Sequence, residues 1–218
     1  MRVNEVFLED EHAVSDLVQL MQRLDRVGGS EVRLRAENGS LALFGSTQAP
    51  AHLGDATQLV LVHRAVGLGA PLAEAVDTVV ETRAVLDRLA RIDEAPWVLP
   101  IPPVNLAVAW AGMLPPRSGW QQEATLEAAP LHDIAIQGAD RVAQMLPENP
   151  GQLLVDKARA AVWSLEVAPG IPAAAALALD SMGFLRDQKI VLVSRSRTWL
   201  RLTTEYGDVF VRDQLGML

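Results

Sequence analysis

The chain has 218 residues, half of them hydrophobic and 21% charged, with no cysteine and a formal net charge of −8. With a mean hydropathy of +0.16, this is the composition of a globular chain that can bury a core. The missing thiols exclude disulfides, thiolate nucleophiles, zinc–thiolate sites and iron–sulfur clusters, and the acidic balance opposes unspecific attraction to DNA or an anionic membrane.

From the N-terminus, residues 1–14 carry an acidic patch where a signal peptide needs an apolar run. The longest apolar stretches, such as Ile171 to Leu179, fall well short of the roughly 20 residues that span a bilayer. A cytoplasmic protein with no membrane partner is therefore expected. Asp10 can cap a helix whose Val14, Leu17, Val18, Met21 and Leu24 share one face, and Gly28-Gly29 provides the stop. A hairpin follows: Glu31–Glu37, the turn Asn38-Gly39, then Ser40–Phe44. Asn-Gly supplies the two positive φ angles of a type I′ turn. A loose connection over Pro50–Asp55 leads to a strand at Gln58–Val66. In residues 71–93, the β-branched run Asp77–Thr82 predicts a short strand before a helix from Thr82 to Ile92, although one long helix also fits.

Four prolines around Trp97–Ile101 impose an extended course, and Val104–Trp110 reads as another strand. The loop Leu114-Pro-Pro-Arg117-Ser-Gly-Trp120 divides the chain into expected halves, 1–113 and 114–218. Beyond it come a helix over Asp133–Leu146 and a second helix capped by Asn149 with Pro150 at its first position. The predicted buried stripe of that second helix is Leu154, Ala158, Ala161, Val162 and Leu165. An alanine-rich helix starts at Pro172 and ends at Gly183, with Phe184 folding back. A three-stranded meander closes the chain: Lys189–Ser194, Trp199–Thr204 and Asp208–Arg212. The fold class is α+β, with antiparallel hairpins and meanders packed on helices.

The segments Arg33-Leu34-x-x-Glu37-x-Gly39 and Arg201-Leu202-x-x-Glu205-x-Gly207 echo each other. Shared hairpin turn chemistry explains this, and so does a pair of pseudo-symmetric helix-plus-meander halves. The motifs Val32–Arg35, Leu114–Arg117 with Gly119-Trp120, Trp163 with Gly170–Pro172, Gly183–Leu185 and Trp199–Leu202 span most of the chain. Together they resemble an uncharacterised family of actinobacterial proteins of unknown function. That resemblance implies a lineage and carries no catalytic residue.

The chemistry-bearing residues form no recognisable constellation. His12, His52, His63 and His132 lack a second ligand at metal spacing, and His12 and His132 fit solvated capping roles at helix starts. There is no nucleophile elbow and no phosphate loop. Gly67-Leu-Gly69-Ala-Pro-Leu72 carries leucine where a dinucleotide fingerprint needs a small residue. No catalytic residue, metal or cofactor is assigned.

Residues 150–218 hold 8 basic against 7 acidic side chains, whereas the rest of the chain holds 11 against 20. The cations of 186–212 and the Pro-Pro-Arg loop mark two candidate partner-binding features: Arg195, Arg197, Arg201 and Trp199 in the first, Arg117 and Trp120 in the second. The favoured reading is a non-enzymatic interaction or scaffold protein that binds a protein partner or itself as a homodimer. A nucleic-acid regulator with a winged-helix-like basic hairpin is the alternative. It is opposed by Pro172–Met182, a helix with no side chain that reads a base edge. An enzyme with a site assembled from scattered residues comes third.

Overall fold

A computed structural model describes residues 5–212 apart from 51, 53 and 73. Two residues of the expected Pro50–Asp55 connection and the first four residues of the acidic N-terminus thus lie outside those described. The chain forms two compact units, Met1–Thr47 with Val62–Leu114 and Gln48–Leu61 with Pro115–Leu218.

The first unit contains β1 (Glu5–Phe7), α1 (Glu11–Arg26), β2 (Glu31–Glu37), β3 (Ser40–Gln48), most of β4 (Leu59–Gly67), β5 (Val76–Glu81), α2 (Thr82–Leu89) and β6 (Val98–Pro100). The Asp10 carboxylate accepts the Ala13 N–H at 2.8 Å and starts α1. Ala13, Val14, Leu17, Leu20, Met21 and Leu24 form its buried face. The β2–β3 hairpin turns at Asn38 (φ 50°) and Gly39 (φ 79°), with Glu37 opposite Ser40. Its alternating buried positions, Val32, Leu34, Ala36, Leu41 and Leu43, follow the pleat. The sheet runs β5-β2-β3-β4 with antiparallel β2 pairings, and β1 pairs with β6. The Arg33 guanidinium binds both Asp77 oxygens at 2.7 and 2.8 Å and the Ala111 carbonyl.

Residues 71–93 resolve as strand then helix, as their β-branched run indicates. Val104–Trp110 is not a strand. The Asn105 side chain accepts the Val79 N–H at 2.9 Å, and Leu106 N–H donates to the Val79 carbonyl at 2.8 Å. This segment covers the outer edge of β5 without pairing as a ladder, and a 3₁₀ turn at Ala109–Gly112 follows. The Gly67–Leu72 segment opens no helix. Gly69 passes so close to the Leu8 carbonyl that an added Cβ would meet it at 2.9 Å, so this glycine serves close backbone approach.

The second unit contains β7 (Gln121–Glu127), α3 (Ala128–Gln144), α4 (Gln152–Trp163), β8 (Glu166–Ala168), β9 (Ile171–Pro172), α5 (Ala173–Ser181), β10 (Ile190–Ser196), β11 (Trp199–Thr204) and β12 (Gly207–Arg212). Its sheet runs β12-β11-β10-β7, all antiparallel. Helix α5 buries Ala173–Ala176, Ala178 and Leu179, and Gly183 (φ 71°) ends it while Phe184 N–H returns to the Leu179 carbonyl at 2.8 Å. A buried α5 presents no face to a DNA groove.

Two helix boundaries also shift. Helix α3 begins at Ala128, five residues before the expected Asp133, because the chain turns directly out of an unexpected strand, β7. Helix α4 has Gly151 as its N-cap, since Asn149 adopts φ 54°. Its buried residues are Ala158, Val162 and Trp163, while Leu154 and Leu165 of the predicted stripe are exposed. The indole of Trp163 turns the helix onto Gly138 of α3, where even a Cβ would collide with the ring.

Candidate partner-binding site

The loop before β7 and the β10–β11 hairpin, which the sequence offers as separate features, meet on the second unit. Proline at 115 and 116 limits the loop's freedom, and Gly119 takes φ 80°. The Trp120 indole N–H donates to the Pro116 carbonyl at 3.0 Å and closes the loop on itself. In the hairpin, Ser196 stands opposite Trp199, so Arg197-Thr198 is a two-residue turn with Arg197 at φ 54°. Arg195 therefore belongs to β10, between Leu200 and Gln121, and not to the turn. The Ser196 hydroxyl reaches the Ser118 carbonyl at 3.5 Å. Between loop and hairpin lies a cleft of about 480 Å³ lined by Pro116, Ser118, Gly119, Gln121, Glu123, Arg195, Ser196 and Arg197.

The expected cations divide into three groups. Arg201 is consumed internally: its Nε and Nη2 bind the two Asp208 oxygens at 2.8 and 3.0 Å, and Thr203 Oγ1 donates to the same carboxylate at 2.8 Å. The guanidinium also lies 5.9 Å from the Trp120 ring centroid and 5.7 Å from that of Phe210. Trp199 is buried and packs edge-on against Phe210 at 6.4 Å, so it offers no contact surface. Arg195 is held by Glu123, its Nε lying 3.1 Å from both oxygens, and lines the cleft as half of an ion pair. Arg117 and Arg197 are exposed, at the loop and at the turn. Among the described residues Arg197 has no ion pair.

The one carboxylate lining this cleft, Glu123, is spent on Arg195. Ser118 and Ser196 have no histidine beside them, and the lining holds no second carboxylate next to Glu123. The nearest thing to a catalytic pair is elsewhere in the unit, where His132 Nδ1 lies 2.6 Å from Asp180 Oδ1, joining α3 to α5. The hydrogen bond to Asp180, and then the charge of that carboxylate, raise the His132 pKa. This replaces the solvated capping role expected of His132. The cavity beside the pair, about 390 Å³, is lined by Ala128, Ala129, Gly183, Leu185, Arg186 and Gln188, none of which is a nucleophile. Among the described residues no three His, Asp or Glu side chains gather as a metal site.

Sequence reasoning missed Glu123, Ser118 and Phe210. Glu123 was hidden because Gln121–Glu127 was not recognised as a strand. Its residues are exposed except Leu126, so no alternation marks it. Phe210 had a signal: Arg201-x-Thr203 and Asp208-x-Phe210 occupy one face of neighbouring strands, with Arg201 opposite Phe210 and Thr203 opposite Asp208.

The chain belongs to the family described as Domain of unknown function (DUF8010), which matches residues 1–112. Residues 115–216 match a second description, Domain of unknown function (DUF8185). No curated protein matches the chain. Among solved structures, the DNA polymerase sliding clamp from Pseudomonas aeruginosa is similar in fold at 14% identity and a TM-score of 0.50, covering 99% of this chain and 65% of that one. The DNA polymerase III beta chain from Streptococcus pneumoniae is similar at 10% identity and a TM-score of 0.52, covering 100% and 66%. This chain thus spans a little under two thirds of the length of either clamp, and at these identities the likeness is one of fold.

Proposed function

We propose that this protein is a non-enzymatic interaction scaffold whose cleft between the Pro-Pro-Arg loop and the β10–β11 hairpin takes an acidic segment of a protein partner. The observation that carries this reading is Arg197, an exposed cation without an ion pair among the described residues, at the rim of a polar cleft whose one carboxylate is already paired. Arg117 and Arg195 add positive charge, and Trp120 fixes the loop. In this reading the halves 1–113 and 114–218 are the scaffold's two domains, and the cleft belongs to the second. A second copy of the chain is a ready source of acidic surface, because the residues outside 150–218 carry 20 of the 27 carboxylates. A homodimer is therefore one form of the proposal, and cytoplasm its setting. The clamp-like fold fits a scaffold role.

Nucleic acid is the weaker partner. The five helices together carry seven basic and eight acidic side chains, which is no stripe of phosphate contacts.

The test uses a labelled oligoglutamate peptide, an oligolysine control and a duplex DNA, each titrated at several salt concentrations against wild type and Arg117→Ala/Arg197→Glu. Light scattering on the same samples reports self-association. Binding of the acidic peptide that weakens in the variant, or a wild-type dimer that dissociates in it, supports the reading. Tight, salt-dependent DNA binding lost in the variant, with peptide binding absent, would overturn it.

A further inference from the structure

Strand β7 ends the sheet of the second unit, and its pattern of exposure is unusual for a strand: six of its seven residues are exposed and Leu126 is half-buried. Its ladder register identifies which backbone groups are spent. Ala128 N–H donates to the Lys189 carbonyl at 3.0 Å, directly across in the register that pairs Glu127 with Ile190 and Leu126 with Val191. In an antiparallel ladder, directly bonded pairs alternate with unbonded ones. Leu126 and Ala124 therefore face β10 with both backbone groups, Thr125 turns both of its own to the open side, and Glu127 turns its N–H there while its carbonyl, at the N-cap, belongs to α3. Among the described residues β10 is the one strand that pairs with β7, and no turn or loop bond reaches these open groups. The sheet edge of the first unit is different, because β5 is covered at Val79 by Asn105 and Leu106. Proteins commonly block such edges with charge, proline or a covering segment. Here one is covered and the other is left open.

The open edge runs into the cleft. Gln121 and Glu123 belong to both, and the register slips between Val193 and Ser194, next to Glu123. Each end of β7 carries an uncompensated charge. At the Gln121 end this is Arg197. At the other end it is Glu127, which occupies the N-cap position of α3 but makes no side-chain cap bond and no ion pair among the described residues.

We infer that the occupant of this site is an extended segment of a protein partner that adds to β7 as an antiparallel strand, with a basic residue opposite Glu127 and acidic residues beside Arg197. This rests on the reading of the cleft as an acidic-segment site and adds the backbone mode, the direction and the second charge. Because the added strand is antiparallel, its chain passes Glu127 first and the cleft last. The recognised sequence therefore has its basic residue N-terminal, a short β-branched run, and its acidic residues C-terminal. The open N–H and C=O of Thr125 and the open N–H of Glu127 supply affinity without regard to sequence, and the end charges supply direction.

The probe is a capped, labelled octapeptide, Lys-Thr-Val-Thr-Val-Thr-Asp-Asp, with the reversed sequence as its control. Binding is read by fluorescence anisotropy, and hydrogen exchange reports the amides of β7. The forward peptide should bind more tightly than the reversed one by on the order of 10-fold, since two favourable cross-strand pairs become unfavourable. It should also slow exchange at Thr125 and Glu127. The variant Thr125→Pro removes an N–H that donates nothing to β10, so it should keep the wild-type circular dichroism and weaken the peptide by about 10-fold.

Should Arg197→Glu weaken the peptide while Thr125→Pro and the Thr125 amide stay unaffected, the cleft reading survives and strand addition fails. The opposite pattern keeps strand addition and removes the acidic-partner reading. Absence of saturable binding by the forward peptide overturns the inference. So does concentration-dependent protection of Thr125 and Glu127 in the protein alone, which would mean that a second copy occupies the edge.

Discussion

Replacing Asp208 with alanine tests whether the Arg201 cluster holds the candidate site together. The change removes three hydrogen bonds at once, two from Arg201 and one from Thr203. It leaves the guanidinium between the rings of Trp120 and Phe210 with no carboxylate on that side. Breaking a fully buried ion pair by deleting one partner costs about 3–5 kcal/mol. The Arg201 side chain, however, is 33% exposed and can regain water, whereas that of Asp208 is only 8% exposed. The expected cost of Asp208→Ala is therefore smaller, about 2 kcal/mol. Arg201→Met, which keeps the apolar stem but strands the buried carboxylate, should cost about 3 kcal/mol. The double variant Arg201→Met/Asp208→Ala removes both charges and should be more stable than Arg201→Met alone. Urea denaturation followed by far-ultraviolet circular dichroism gives all three values. Costs below about 0.5 kcal/mol for both single variants, the range of ordinary surface positions, would refute the cluster. A double variant whose cost equals the sum of the two singles would refute the coupling.

Other substitutions probe single elements. Gly39→Val should destabilise by about 1 kcal/mol or more in urea, because Gly39 has open space around its α-carbon and the whole cost is the positive φ; unchanged stability would contradict the turn. Gly138→Leu should separate α3 from α4 by driving a side chain into the Trp163 ring, seen as a red-shifted tryptophan emission and a lowered melting temperature. The His132–Asp180 pair makes stability depend on pH. Because the folded pKa of His132 is raised above its ordinary 6.5, the contribution is complete below that value and is lost as pH rises through the folded pKa. Urea midpoints for wild type and Asp180→Asn should therefore differ most on the acid side and converge in mild alkali; a gap that widens with pH would reverse the assignment.

Local chemistry made much of the first unit legible. The cap at Asp10, the face of α1 and the Asn38-Gly39 turn each rest on short-range rules that the rest of the chain does not override. The β-branched run before Thr82 behaves the same way, and the buried Thr82 hydroxyl, 2.8 Å from the Gly29 carbonyl, marks where strand becomes helix. Illegible elements took their conformation from distant partners. Val104–Trp110 has strand-like residues, but Asn105 spends its side chain on β5. Helix α4 carries Leu154 on its exposed side and ends before the exposed Leu165, because Trp163 fills the space at Gly138 that a leucine stripe would have taken. Strand β7 has the polar composition of a loop, and only its pairing with Val191 and Val193, both buried, makes it a strand.

The candidate site was half legible for the same reason. The sequence marks Arg117, Trp120, Arg195 and Arg197 as unusual residues but does not show which cations already have counterions. Arg33 and Arg201 occupy matching places in the two echoing segments, and both bind an aspartate through two nitrogens, Asp77 for one and Asp208 for the other. In each case the arginine that looks most like a binding residue is part of the sheet's own cross-strand bonding. Counting charge along the chain therefore overstated the basic face. Of the six cations between 186 and 212, Arg195 and Arg201 are paired within the unit, and Arg186 rests over the Tyr206 ring at 5.4 Å. Under the proposed reading, selectivity at this face comes from geometry more than from net charge. An exposed turn at Arg197, a loop closed by its own tryptophan and an open strand edge between them favour an extended segment of defined direction over a diffuse polyanion.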